Sequence, residues 1–378
     1  MSEKTVVVVF PSLFSLNKIN SLASSISAAL KAKRQSFSKI EKKDSVIIVE
    51  AKDPVFASTT INSLFGIEKV AIAIEVENNF NSVVSAIAKA GVNLVLSGEK
   101  FYVKVDGKTS TYMPKDVELA ATSLLIEKTV NLQAKPGTEK NHDKMIYTYL
   151  TKSYAYVCIF MDKGKGGIPY KSQKETILCC LYDELSIISC LQIIKMGFDV
   201  KILVCYRNES ELLNTVKMMN HILPIISQTK IELGFYKLDM KFSGNNGLLF
   251  RIAVVTEILL SVATKAKIDR VSLSISPLIF PVWFVEHNIT RVFQKGKIPW
   301  MPLSGIDDSI FETANEIGLR KYVSKIENLC RLKFSTKSIP KEKIYKISQA
   351  TLHSQKIITI PIGPKNIHDI VDSLRSNH

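Results

Sequence analysis

Residues 175–205 read ETILCCLYDELSIISCLQIIKMGFDVKILVC, and the fold turns on them. Glu175–Leu181 is an almost unbroken apolar run of strand length, which predicts a β-strand covered on both faces. Glu184–Met196 has the length and composition of a helix, and Val200–Cys205 is a second apolar strand. The rhythm continues through helix Glu209–Leu223, strand Lys230–Lys237, long helix Leu248–Lys267 and strand Arg270–Ile275. Ile306–Ile317 reads as one more helix, with Asp307 and Asp308 at its positive end and Gly318 just past its other end. Residues 166–345 are therefore expected to build an α/β domain around a doubly wound, mostly parallel sheet.

Upstream the segments are shorter. Residues 1–66 read as strand Val6–Phe10, helix Ile19–Leu30, strand Ser45–Glu50 and helix Ser58–Leu64. The basic run Lys31, Lys33, Arg34, Lys39, Lys42 and Lys43 reads as a solvated helix end and loop. Residues 67–165 form a second α/β unit. It has strand Val70–Val76 and helix Phe80–Ala90, closed by Gly91. In strand Phe101–Val105, Phe101, Val103 and Val105 face one side, and Tyr102 and Lys104 the other. Helix Pro114–Lys128 follows, with Val117, Ala121, Leu124 and Leu125 on one face. Val130–Leu132 reads as a strand, Lys144–Phe160 as a hairpin, and residues 346–378 as a C-terminal extension.

A chain of 378 residues has room for two or three domains. Its 50 Lys+Arg against 35 Asp+Glu give a formal charge of +15, which concentrates polyanions at the surface. A mean hydropathy of +0.12 excludes a disordered chain. The longest apolar stretch, Val271–Val285, holds two prolines and is short for a bilayer span, so no membrane partner is expected. Most of the six cysteines sit in apolar runs, without a CxxC pair or a zinc-like spacing. The N-terminus has no secretory pattern. Reduced thiols, no metal site and a cytoplasmic location are the expectation.

In a doubly wound sheet the first strand-to-helix turn is the natural phosphate site. Here that turn is Leu181, Tyr182, Asp183, Glu184, Leu185 and Ser186. It has no glycine, so the backbone does not wrap an anion easily. Asp183 and Glu184 suit helix capping better than acid–base catalysis. The Gly-rich stretch, Lys163 to Pro169 with Gly164, Gly166 and Gly167, precedes the strand and is no Walker sequence. It reads either as a basic loop that approaches a phosphate closely or as an inter-domain linker. Cys330 beside Arg331 is the one thiol candidate for catalysis, and the histidines are scattered.

These pieces, in order, resemble the tRNA 4-thiouridine sulfurtransferases. Phe65-Gly66-Ile67 is similar to the end of their N-terminal ferredoxin-like domain. Phe101–Val105, the helix through Lys128 and Val130-Asn131-Leu132 followed by Pro136 look like their THUMP domain. Gly164–Pro169 resembles their G-x-G-G-L-P stretch. Gln192–Gly197 resembles the end of the helix after their PP-loop. Pro302–Asp307 with Ala314–Gly318 resembles their P-L-x-G-x-D and A-x-x-I-G element. The resemblance runs from about residue 45 to about 332. It implies domains at 1–66 (ferredoxin-like), 67–165 (THUMP), 166–345 (PP-loop ATPase-like) and 346–378 (extension). The family's PP-loop S-G-G-x-D-S is replaced by Leu181–Ser186, with only Ser186 kept, and its T-G-E-S and Q-x-x-S-Q signatures by the apolar Ser274–Trp283. The resemblance thus implies a tRNA-binding protein that meets the acceptor end and acts in 4-thiouridine formation without its own ATP-dependent step or a cofactor. Lys100, Tyr102, Lys104, Lys108, Tyr112, Lys115 and Lys165 are its candidate RNA contacts. Two alternatives stand beside it. One is an active ATP- and Mg-dependent sulfurtransferase with a rebuilt phosphate site. The other is a structural subunit of a tRNA-modifying complex, or a homodimer, with Phe280, Trp283 and Phe284 as contacts.

Overall fold

Alternation decides the first sheet. In β1 (Lys4–Pro11), Val7 and Val9 point one way and Val6 and Val8 the other, and all four are fully buried. A strand apolar on both faces must be central and covered twice. The protein is seen here as a computed structural model, which describes residues 4–109, 111–226, 228–240, 245–334, 340–363 and 366–375. It divides into two compact units, Met1–Pro169 and Tyr170–His378.

In the first unit β1 leads to α1 (Ile19–Ala32), β2 (Phe37–Lys43), β3 (Val46–Ala51), α2 (Pro54–Asn62) and β4 (Ile67–Glu77). Then come α3 (Phe80–Leu94), β5 (Lys100–Gly107), α4 (Pro114–Lys128), β6 (Lys135–Pro136), β7 (Lys144–Leu150) and β8 (Tyr154–Gly166). One sheet holds all eight strands, ordered β2-β3-β1-β4-β8-β7-β5-β6. The first six elements form a β-α-β-β-α-β unit of ferredoxin-like topology. Its last strand is β4, so this half reaches past residue 66 to Glu77. Two readings change. The basic run after α1 is no simple loop, because Phe37–Lys43 pairs with β3 as an edge strand. Val130–Leu132 is a single 3-10 turn, ended by the left-handed Gln133. Nor does Gly91 close α3. A Cβ there would lie 2.8 Å from the methyls of Leu125 and Ile146, so the glycine lets the helix seat closely on its neighbours.

Helices α1 and α2 bury Val7, Val9, Ile47 and Val49, while α3 and α4 bury Phe101, Val103, Val105 and Ile146. Val70 and Val76, on one face of β4, join these two cores, so all four helices share one side of the sheet. On the other side Val6, Val8, Ile48, Ala71, Tyr147, Tyr156 and Cys158 bury one another. Strands β1 and β7 would be ~14 Å apart in a flat sheet. Yet Phe10 lies edge-on to Tyr147 and Tyr149, with ring centroids 5.9 and 5.4 Å away. The sheet is therefore rolled. The Ser45 and Tyr149 hydroxyls meet at 2.7 Å, and the Lys152 amide donates to the Asp44 carboxylate at 3.3 Å, closing the roll at its rim.

The second unit runs β9 (Thr176–Leu181), α5 (Glu184–Lys195), β10 (Asp199–Tyr206), α6 (Glu209–Ile222), β11 (Lys230–Lys237), α7 (Asn245–Lys265) and β12 (Arg270–Ser272). It continues through α8 (Val282–Gln294), β13 (Ile298–Trp300), α9 (Asp308–Glu316), α10 (Arg320–Leu329), α11 (Lys341–His353), β14 (Lys356–Pro361) and α12 (Asn366–Arg375). The sheet order is β13-β12-β9-β10-β11-β14, parallel except for β14. This is the expected doubly wound sheet, and its order reverses between β9 and β12. The expected C-terminal extension contributes to it, since β14 pairs antiparallel with β11 from Lys230↔Pro361 to Phe235↔Lys356. Among the described residues one helix, Asn246–Lys265, is long and apolar enough to cross a membrane, and 67% of that stretch is buried inside the protein.

Candidate functional site

The reversal between β9 and β12 opens a crevice at the carboxyl ends of those strands, where sheets of this kind hold ligands. On the β9 side the turn into α5 is closed on itself. Asp183 is the N-cap, and its Oδ1 accepts the Ser186 amide at 2.9 Å. The Ser186 hydroxyl accepts the amides of Tyr182 and Asp183 at 2.9 and 3.0 Å and donates to the Asp183 carbonyl at 2.7 Å. Three amides that an anion would need are thus already bonded by the protein's own side chains. Leu181, Tyr182, Leu185 and Ser186 are buried, and Asp183 and Glu184 half-buried. Burial raises the Asp183 carboxyl to about 6, against the pull of the Ser186 amide and the Arg251 guanidinium.

Arg251, from α7, lies over the Tyr182 ring at 5.5 Å and binds Glu211 at 3.0 Å. Arg207 holds the other oxygen of Glu211, its Nε donating at 2.7 Å. Both cations are therefore engaged by one carboxylate. On the β12 side most of the segment after the strand is buried. Leu273, Ser274, Ile275, Ser276, Ile279 and Phe280 are all buried, and Phe280 packs on Phe284 and Phe334. Of the aromatic residues considered as contacts, Phe280 and Phe284 are core, and Trp283 is 36% exposed.

Cys330 caps the end of α10 and is exposed, its thiol 3.7 Å from the Ile326 carbonyl. The other five cysteines are buried. Burial pushes the Cys158 thiol up to about 12 and raises Cys179 and Cys180 well above the ordinary thiol value, which keeps them protonated. Among the described residues no group of three His, Cys, Asp or Glu side chains is placed to hold a metal ion.

In the first unit the RNA candidates separate. Tyr102 and Lys104 alternate outward on β5 as expected, Tyr102 with its ring 5.6 Å from His142 and Lys104 3.8 Å from Asp106. Lys100 begins the same strand, 3.4 Å from Asn141. Lys108 lines a cleft of about 760 Å³ together with Asp44, Ser45, Thr109, Tyr149 and Lys152. Lys115 lies on the helix side, bound at 2.7 Å to Glu118, whose other oxygen accepts the Val105 amide. Tyr112 turns inward, bonded to Asn78 and edge-on to Phe80. Gly164, Lys165 and Gly166 end β8, and a Cβ on Gly164 would lie 2.3 Å from the Ile67 carbonyl. Gly66 donates to the Gly166 carbonyl at 2.6 Å, and Ser12 to that of Gly167 at 2.6 Å. This stretch is strand and close packing rather than a loose linker. Sequence reasoning missed the tyrosines of the rolled face. Lys43 sits 4.1 Å over Tyr154 and Lys69 5.8 Å over Tyr147. Their signal was the two-residue spacing of Tyr147 and Tyr149, and of Tyr154 and Tyr156.

No protein-family profile matches the sequence, and none of the curated proteins matches it. Solved structures do. A 4-thiouridine synthetase, in complex with RNA and with ATP bound, superposes with a TM-score of 0.70 over 95% of this chain and 100% of its own, at 14% identity. In fold this chain is similar to a 4-thiouridine synthetase. The protein PH1313 from Pyrococcus horikoshii Ot3 superposes with a TM-score of 0.66 over 83% of this chain and 100% of its own, at 18% identity. The likeness covers enough of the chain to include most of both units.

Proposed function

We propose that this chain binds tRNA at its acceptor end, in the cytoplasm, and serves 4-thiouridine formation without an ATP-dependent step of its own. One observation carries the reading: Asp183 and Ser186 bond the three amides at the start of α5. A triphosphate approaching that turn would meet a carboxylate at short range in place of open N–H groups, and such a meeting is unfavourable. The buried Leu273, Ser274, Ile275, Ser276, Ile279 and Phe280 support the same reading from the other side of the crevice. The net charge of +15 and the outward Tyr102, Lys104 and Lys108 of the first unit support RNA as the partner. A separate modification enzyme then supplies the activation chemistry.

The test is pyrophosphate release from Mg-ATP by the purified full-length protein, with and without tRNA, beside a salt titration of tRNA binding. No release above background is expected, with binding whose log–log salt dependence is steep. Release in proportion to added tRNA would overturn the proposal and make the chain an enzyme.

A further inference from the structure

The two sheets end on β2, β6, β13 and β14, and three of these edges are guarded. Strand β6 is two residues long and ends in Pro136. Strand β13 is three residues long, with Pro299 at its centre, and β2 carries Lys39, Glu41, Lys42 and Lys43. Shortness, proline and charge are the usual protections of an edge. Strand β14 lacks them over its middle, which reads Ile357, Ile358, Thr359 and Ile360.

The phase of its hydrogen bonds follows from one contact. The Ile362 amide, just past β14, donates to the Thr229 carbonyl at 3.0 Å. That pair continues the register Lys230↔Pro361, so the pairs bonded to β11 fall at Lys356, Ile358 and Ile360. Ile357 and Thr359 lie between them, and their N–H and C=O groups point away from β11. No strand lies beyond β14, and among the described residues these groups make no backbone bond. Pro361 ends the open row, since it has no N–H to offer. The edge therefore suits a short strand.

The side chains around it have one sign of charge. Ile357 is 55% exposed and lines an open groove of about 480 Å³ with Leu352, His353, Gln355 and Lys265. Lys230 lies on the same face of the sheet, since it and Gly234, the partner of Ile357, are an even number of residues apart on β11. Lys201 is held by Glu232 at 3.1 Å. Lys230 and Lys265 are exposed and in no ion pair among the described residues.

We propose that the outer edge of β14 is a docking site for a short, extended, acidic segment of another protein, which adds a strand to the sheet. The segment pairs with the outward N–H and C=O groups of Ile357 and Thr359. An apolar side chain lies beside Ile357, and carboxylates meet Lys230 and Lys265. Backbone pairing supplies affinity in this mode, and the flanking side chains supply specificity. The same lysines, on a chain of net charge +15, oppose pairing with a second copy. The inference stands apart from the tRNA reading and from the crevice at β9 and β12.

The experiment follows the fluorescence anisotropy of a labelled, end-capped peptide, Asp-Glu-Val-Thr-Val-Glu-Asp, titrated with the full-length protein. Wild type is expected to bind it saturably, and to bind the peptide with Asn and Gln in place of the acids several-fold more weakly. An added strand turns only alternate amides towards its neighbour. One peptide is therefore N-methylated at both valines, and another at the threonine and both glutamates. One of them should bind about tenfold more weakly, and the other within about threefold of the parent. Thr359→Pro removes an outward N–H and no bond to β11, so it should melt as wild type does and lose the peptide. Lys265→Glu should weaken binding with the melting point unchanged. The proposal is overturned if wild type shows no saturable binding at millimolar concentration, if the two N-methylated peptides bind alike, or if folded Thr359→Pro binds as wild type does. It is equally overturned if the protein self-associates and Thr359→Pro abolishes that, because the edge would then belong to a second copy.

Discussion

Asp183→Asn tests the closed turn most directly. Burial raises the wild-type carboxyl to about 6 in the fold, above the ordinary aspartate value of about 4. A raised acid binds its proton more tightly folded than unfolded. Stability from this group is therefore greatest at low pH, falls as pH rises from about 4 to about 6, and is flat above. Two units at 1.36 kcal/mol each give about 3 kcal/mol, and the partial exposure of the residue brings the expectation nearer ~2 kcal/mol. Asparagine keeps the oxygen that accepts the Ser186 amide and caps a helix as well as aspartate does. It removes the charge. At pH 7.5 the variant should be the more stable protein by ~2 kcal/mol, a midpoint shift of up to about 1 M urea. At pH 4.5 the gap should shrink towards zero. Both tryptophans, Trp283 and Trp300, lie in the second unit, so their fluorescence follows its unfolding alone. A variant less stable at pH 7.5, or an equal gap at both pH values, would refute the reasoning.

Other substitutions probe other parts. Ser186→Ala strands the Tyr182 and Asp183 amides in a buried turn and should cost about 2 kcal/mol or more, read by the same urea titration. Lys104→Ala should weaken tRNA binding and flatten the log–log salt slope by about 0.7–0.9. Lys115→Ala should leave that slope unchanged, because Lys115 is held by Glu118 on the helix side. Gly107→Ala would place a Cβ 2.1 Å from the Leu150 carbonyl at a φ of +107°. It should destabilise the first unit by about 3 kcal/mol or more in calorimetry, with the tryptophan transition unmoved.

What the sequence disclosed follows from where its apolar residues lie. The strands Thr176–Leu181 and Asp199–Tyr206 are apolar on both faces, and the helix between them is bounded by Asp183 and Gly197, so the core of the second sheet was legible. Strand Phe37–Lys43 was not, because Lys39, Glu41, Lys42 and Lys43 give it the charged composition of a protected edge rather than an apolar alternation. Strand β14 was hidden for a related reason, since only Ile358 and Ile360 face inward. At the turn, the absence of glycine was visible in the sequence. That Ser186 would bond the Tyr182 and Asp183 amides was not, because the same serine equally well contacts a bound phosphate.

Strand β14 sets an order of events during synthesis. Strand β11 leaves the ribosome well over a hundred residues before its outer neighbour does. During that interval it presents an open row of backbone groups, the kind of edge that recruits strands from other chains. Synthesis stalled before residue 356 should therefore yield protein whose second unit keeps its parallel strands but sticks to copies of itself. The late arrival of six residues makes their translation a checkpoint for solubility.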